Sequence, residues 1–202
     1  MKSLSTLLLL IFLTLLTPRA FFGKETFSWD KVYAELRFGY FHPTKAIIRD
    51  VYEGALQTQI NVGLNVYEDL SAYLGTSVFK ASGKSLGLAE KTWLRITPLI
   101  LGIKYPYPLA SWSWIYVSGG AKVNFVRVHS DSNFVDPTLN AVGGGGFIET
   151  GFWFYLADNL YLDIFTNYNY SPTKFSPEKP SIIGNTVDLG GVYTGGGFHY
   201  KF

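Results

Sequence analysis

Residues Leu56 to Val66 read LQTQINVGLNV, with an apolar side chain at almost every second position. Leu56, Thr58, Ile60, Val62, Leu64 and Val66 fall on one face of an extended chain, and Gln57, Gln59, Asn61, Gly63 and Asn65 fall on the other. Alternation with a period of two marks a strand with two unlike faces. It recurs down the chain and predicts strands near 31–42, 55–67, 70–80, 92–105, 114–128, 142–156, 160–170 and 186–202, with no helical periodicity to compete. In the first, Val32, Ala34, Leu36, Phe38 and Tyr40 oppose Glu35, Arg37 and Gly39. In the fifth, Ile115, Val117, Ala121, Val123 and Phe125 oppose Ser118, Gly120, Lys122 and Asn124, and in the seventh Leu162 and Ile164 oppose Asp163, Asn167 and Asn169. The fourth is less regular. Pro98 has no N–H to give a ladder, so a bulge is expected there and the facing of later residues stays open.

The connections alternate in length. YEDL and LADNL are short and PYPLASWS is somewhat longer, whereas 43–54, 81–91, 129–141 and 171–185 are long. Short turns at one rim and long loops at the other describe an up-and-down barrel, with both chain ends at the short-turn rim.

Alternation does not say which face is outside. A soluble barrel hides its apolar face, and a membrane barrel turns it to lipid. Two features of the strands favour lipid. Glu35, Arg37, Arg95, Lys122, Glu149 and Asp163 lie mid-strand on the polar faces, too few for a soluble exterior and suited to pairing in a narrow lumen. Aromatic residues gather toward strand ends: Tyr67, Tyr105, Tyr107, Trp112, Trp114, Tyr155 and Tyr161 at the short-turn rim, and Tyr40, Phe41, Phe79, Trp93, Phe125, Tyr168 and Tyr170 at the other. Two such belts match the interfacial girdles of a membrane barrel.

Composition agrees. Aromatics make up 17% of the 202 residues and charged residues only 16%, against about a quarter charged in an average soluble domain. The absence of Cys excludes disulfides, thiolate catalysis and thiolate metal sites. The opening MKSLSTLLLLIFLTLLTPRA has a basic start and an apolar run too short to span a bilayer, so residues 1–20 read as a cleavable signal peptide. Residues 21–30 then form an N-terminal periplasmic segment and 31–202 the barrel domain. The leader holds Lys2 and Arg19, so the 17 basic groups fall by two to match the 15 acidic ones, which leaves no case for nucleic-acid binding.

The chain stops at GFHYKF, where Phe198, Tyr200 and Phe202 alternate up to the last residue. This ending is similar to the C-terminal signal by which the barrel-assembly machinery recognises its substrates. With the leader and the alternation, the whole mature chain resembles the small eight-stranded outer-membrane proteins of the OmpA, OmpX and OmpW type. The expected fold class is therefore all-β: an eight-stranded antiparallel up-and-down transmembrane β-barrel behind a cleavable signal peptide. The resemblance implies a Gram-negative-type outer membrane, lipids and lipopolysaccharide as surroundings, and a host or surface ligand for the long loops. Eight strands enclose a space that side chains fill, so a structural or surface role is expected, with a small-solute or ion channel as the alternative.

Candidate chemistry is thin. The mid-strand charges read as a structural network that fixes register; the resemblance implies a second reading, a gated ion path, since buried pairs in OmpA-like barrels can swap partners. RVHSDSNF at Arg127 to Phe134 is similar to the His-x-Ser-Asn of eight-stranded lipid A deacylases, with one extra residue between His129 and Ser132. That mechanism would need Glu149 to orient His129, and no enzyme is expected. His42 and His199 lack metal-ligand spacing, and GGGG at Gly143 to Gly146 lacks the Lys of a phosphate loop. No metal and no cofactor is expected.

Overall fold

The computed structural model describes residues 31–67, 69–84, 90–131, 138–175 and 186–202. Their sheet closes on itself. Strands β1 (Val32–Pro43), β2 (Ala55–Tyr67), β3 (Leu70–Lys84), β4 (Lys91–Ala110), β5 (Ser113–Ser130), β6 (Thr138–Ala157) and β7 (Leu160–Tyr170) each pair antiparallel with the next. A short hairpin of β8 (Pro172–Lys174) and β9 (Thr186–Asp188) follows, and β10 (Gly191–Lys201) pairs with β7 and back onto β1 from Tyr33–Lys201 to Pro43–Gly191. The eight expected strands are all present, and the last splits into β9 and β10. Closure gives each strand two neighbours, the arrangement by which a sheet satisfies its backbone in hydrocarbon.

Alternation then sorts the side chains. Leu56, Ile60 and Val62 lie 79%, 52% and 54% exposed on the outer wall, while Gln59 and Asn61 are buried within it. Tyr67, Tyr105, Tyr107, Trp112 and Tyr155 are exposed at the short-turn rim, and Tyr40, Phe125, Tyr168 and Tyr170 toward the other. Four aromatics expected in these belts are not there. Phe41 and Phe79 are buried in the interior, and Trp114 packs edge-on against Tyr161 beside the core. Their parity in the strand, not their distance from its end, decides the matter.

Pro98 brings no bulge. The β4–β5 register runs through it unbroken, and the β3–β4 register is the same on either side. Its carbonyl accepts a 2.8 Å hydrogen bond from the Thr76 hydroxyl. The irregularities sit instead beside the short turns, at Asn65/Tyr67, Pro108/Ala110 and Tyr155/Ala157. There a left-handed Asn159, at φ 63°, makes the tight turn from β6 to β7.

Bulky rings fit inside because glycine faces them across the ladder. Tyr33 pairs with Gly63, Tyr73 with Gly102 and Tyr116 with Gly151. A Cβ on Gly63 would lie 2.1 Å from the Tyr33 ring, so no larger residue fits beneath it. The long-loop end also holds an element that the pattern did not predict, the helix α1 (Ala46–Tyr52). Its Ile48 and Tyr52 turn down onto Phe41, Phe79, Leu94, Ile96 and Val126, and Val187 and Leu189 join from beside β9. Burial pushes the pKa of the Tyr52 hydroxyl up, and the hydroxyl bonds to Thr92 at 3.0 Å. The long-loop end of the lumen is therefore packed with apolar side chains.

Candidate functional site: a charge network filling the lumen

Below the apolar layer, Glu35 and Arg37 enter the lumen from adjacent inward positions of β1, both fully buried. Arg37 spends its whole guanidinium fork. Nε donates to Asp163 Oδ2 at 2.7 Å, one terminal nitrogen donates to both Glu149 oxygens at 2.9 and 3.0 Å, and the other donates to the Tyr116 hydroxyl at 2.9 Å. Tyr116 passes its own proton on to Asp163 Oδ1 at 2.9 Å. The planar face of Arg37 lies 4.7 Å from the Phe165 ring centroid, a stacking that lysine could not reproduce.

Glu35 gathers a second set. It accepts from Asn61 at 2.8 Å and from His199 Nδ1 at 3.1 Å, pairs with Arg37 at 3.3 Å, and takes a hydrogen bond from Lys104. Lys104 is enclosed by the Tyr116, Tyr73 and Trp153 rings, 4.5 to 5.2 Å from their centroids. Asn167 completes Glu149 at 3.1 Å. Every barrel strand except β3 thus supplies a hydrogen-bonded group, and β3 supplies the Tyr73 ring. Ionised groups out of water are tolerable only when paired and hydrogen-bonded in this way.

Of the six charges expected in the lumen, Glu35, Arg37, Glu149 and Asp163 come together here. Lys122 also points inward but stands apart, bonded to Asn169 near Gln57, Gln59 and Ser77. Arg95 corrects the expectation. It is exposed on the outer wall, because β4 keeps one register through Pro98 and its even-numbered residues, from Thr92 to Lys104, face in. The same parity brings in Lys104, which was missed because both faces of Leu99–Ile103 are apolar and the alternation there says nothing. His199, whose sequence neighbourhood offers no metal-ligand spacing, is buried and hydrogen-bonded within the network.

The acyl-transfer arrangement does not assemble. Glu149 is committed to Arg37 inside the wall. His129 lies on the outside, 3.0 Å from the Thr138 hydroxyl and 3.3 Å from Asp131. Ser132 falls outside the described residues, as do residues 1–30. Phe198, Tyr200 and Phe202 face outward, 47%, 42% and 54% exposed. Among the described residues no His, Asp or Glu cluster could hold a metal ion, and no helix is long and apolar enough to cross a membrane.

Solved structures share this closed wall. The outer membrane protein OprG of Pseudomonas aeruginosa superposes with a TM-score of 0.62 at 20% identity, over 85% of this chain and 95% of that one. Neisserial surface protein A superposes at 0.60 and 18% identity, over 88% of this chain and all of the other. The N-terminal barrel domain of Pseudomonas aeruginosa OprF gives 0.55 at 14% identity, over 85% and 98%. The fold is that of the small outer-membrane β-barrels. No family model and no curated protein matches the sequence. Inside this wall the side chains leave little space. The polar chamber between Lys122 and Asn167 holds only about 20 Å³, room for about one water molecule.

Proposed function

We propose that this chain is a non-enzymatic barrel of a Gram-negative-type outer membrane with a structural and surface-interaction role, in adhesion or envelope integrity, and a lumen closed to solutes. The observation that carries the reading is Arg37, which has no exposed surface and is bonded at once to strands β5, β6 and β7. A side chain so held ties the wall together across its middle and fills the space a solute would need. The apolar layer under α1 makes a second seal. In this reading residues 1–20 direct export and are removed, 21–30 lie in the periplasm, and Phe198, Tyr200 and Phe202 present the chain to the assembly machinery. The long loops then meet lipopolysaccharide or a host surface.

Proteoliposome swelling tests the closed lumen. Vesicles carrying the folded protein should swell in isosmotic sugar or amino-acid solutions no faster than empty vesicles. Swelling that is faster, and slows as solutes grow, would overturn the reading in favour of a small-solute channel.

A further inference from the structure

Arg95 is one of a row. In the ladder, Lys80 of β3 lies opposite Arg95 of β4, Arg95 opposite Arg127 of β5, and Arg127 opposite Asn140 of β6. All of them are exposed on the outer wall. Three cations therefore stand side by side on adjacent strands, a placement that repels itself. None of the three has a carboxylate within ion-pairing distance among the described residues. The remaining barrel strands β1, β2, β6, β7 and β10 carry no Lys, Arg, Asp or Glu at their outward-facing positions.

The height of the row is telling. Arg95 lies ten residues from Tyr105 of the short-turn girdle along β4. At roughly 3.3 Å per residue and a tilt near 40°, that is about 25 Å along the barrel axis, the height of the apolar band of such a barrel. The outward residues between them are Thr97, Leu99, Leu101 and Ile103, with no charge. The row stands where hydrocarbon gives way to headgroups at the long-loop rim.

Its two borders fit that place. One row toward the rim, Trp93 stacks on His129 with centroids 5.5 Å apart, and both Lys80 and Arg127 approach the Trp93 ring, at 5.9 and 5.7 Å. Indole rings prefer this depth. One row toward the membrane centre, Phe125 and Val142 are exposed, and between them and the arginines runs a groove of about 400 Å³.

We propose that Lys80, Arg95 and Arg127 form a binding site for a phosphorylated lipid of the leaflet at the long-loop rim, the phosphates bridging the cations and an acyl chain lying in the groove. Arginine suits this because its fork binds phosphate oxygens two at a time. The chemistry called for is a lipid with closely spaced phosphate groups, as on a diphosphorylated glycolipid. The site rests on the membrane-barrel reading above and on no claim about the lumen.

The test is native mass spectrometry of the folded protein titrated with diphosphoryl lipid A, its dephosphorylated form and phosphatidylcholine. Wild type should retain diphosphoryl lipid A in preference to both. Each removed cation should weaken that binding about fivefold, so the Arg95→Gln/Arg127→Gln double variant should lose about 25-fold, while Lys174→Gln on β8 should leave it unchanged. Three results would overturn the proposal: equal retention by the double variant, no preference for the phosphorylated lipid, or a protein dimer that the double variant loses instead. Heat-modifiable migration of all variants in phosphatidylcholine shows that the barrel itself is formed, so failure of the site is distinguishable from failure of the membrane-barrel reading.

Discussion

Arg37 and Arg95 sit on opposite sides of one wall. Arg37 is fully buried, and the chain supplies its partners: Glu149, Asp163, Tyr116 and Glu35. Arg95 is exposed, and the chain gives it Lys80 and Arg127 as neighbours in register. A charge inside must bring its complement with it, since nothing else can reach it. A charge on the outside at the membrane boundary can leave its complement to the lipid. On the proposed reading, the interior network serves stability and closure, and the outer row serves recognition.

If that contrast is right, the largest effect follows loss of Arg37. Arg37→Met leaves Glu149, Asp163 and Glu35 without their shared cation, and should cost about 3–5 kcal/mol in urea unfolding from lipid vesicles followed by tryptophan fluorescence. A loss below about 1 kcal/mol, the scale of an exposed pair, would mean that the network holds nothing together. Asp163→Asn keeps the shape and leaves Arg37 its contact with Glu149, so a smaller loss of about 1–3 kcal/mol is expected. At the other extreme, Arg95→Gln in zwitterionic vesicles without phosphorylated lipid should shift stability by less than about 0.5 kcal/mol. Its sign should be stabilising, because Lys80 and Arg127 lose a like-charged neighbour. A marked loss there would erase the distinction between the two faces.

How much of this was legible depends on whether the two faces of a strand differ. In β1, β2 and β7 an apolar face opposes a polar one, so alternation groups Glu35, Arg37, Gln59 and Asp163 on polar faces, and the sparse charges and aromatic belts then turn those faces inward. In β4 both faces are apolar around Ile96 to Ile103, so alternation carries no sign there. Arg95 faces out and Lys104 faces in, a parity that this stretch of sequence does not reveal. One constraint was available: in a strand without a bulge, positions 95 and 104 cannot face the same way, and the uncertainty at Pro98 hid it. The belts failed at Phe41 and Phe79 for a related reason, since closeness to a rim says nothing about parity. The helix α1 has only seven residues, about two turns, too short for its period to stand out. The basic row was invisible for another reason: it exists only once β3, β4 and β5 are in register.

The central claim is that the network and the apolar layer close the lumen, and single-channel recording tests it most directly. Wild-type protein inserted into a planar bilayer in potassium chloride should give a silent baseline under applied voltage. Reproducible steps of constant conductance would contradict the account.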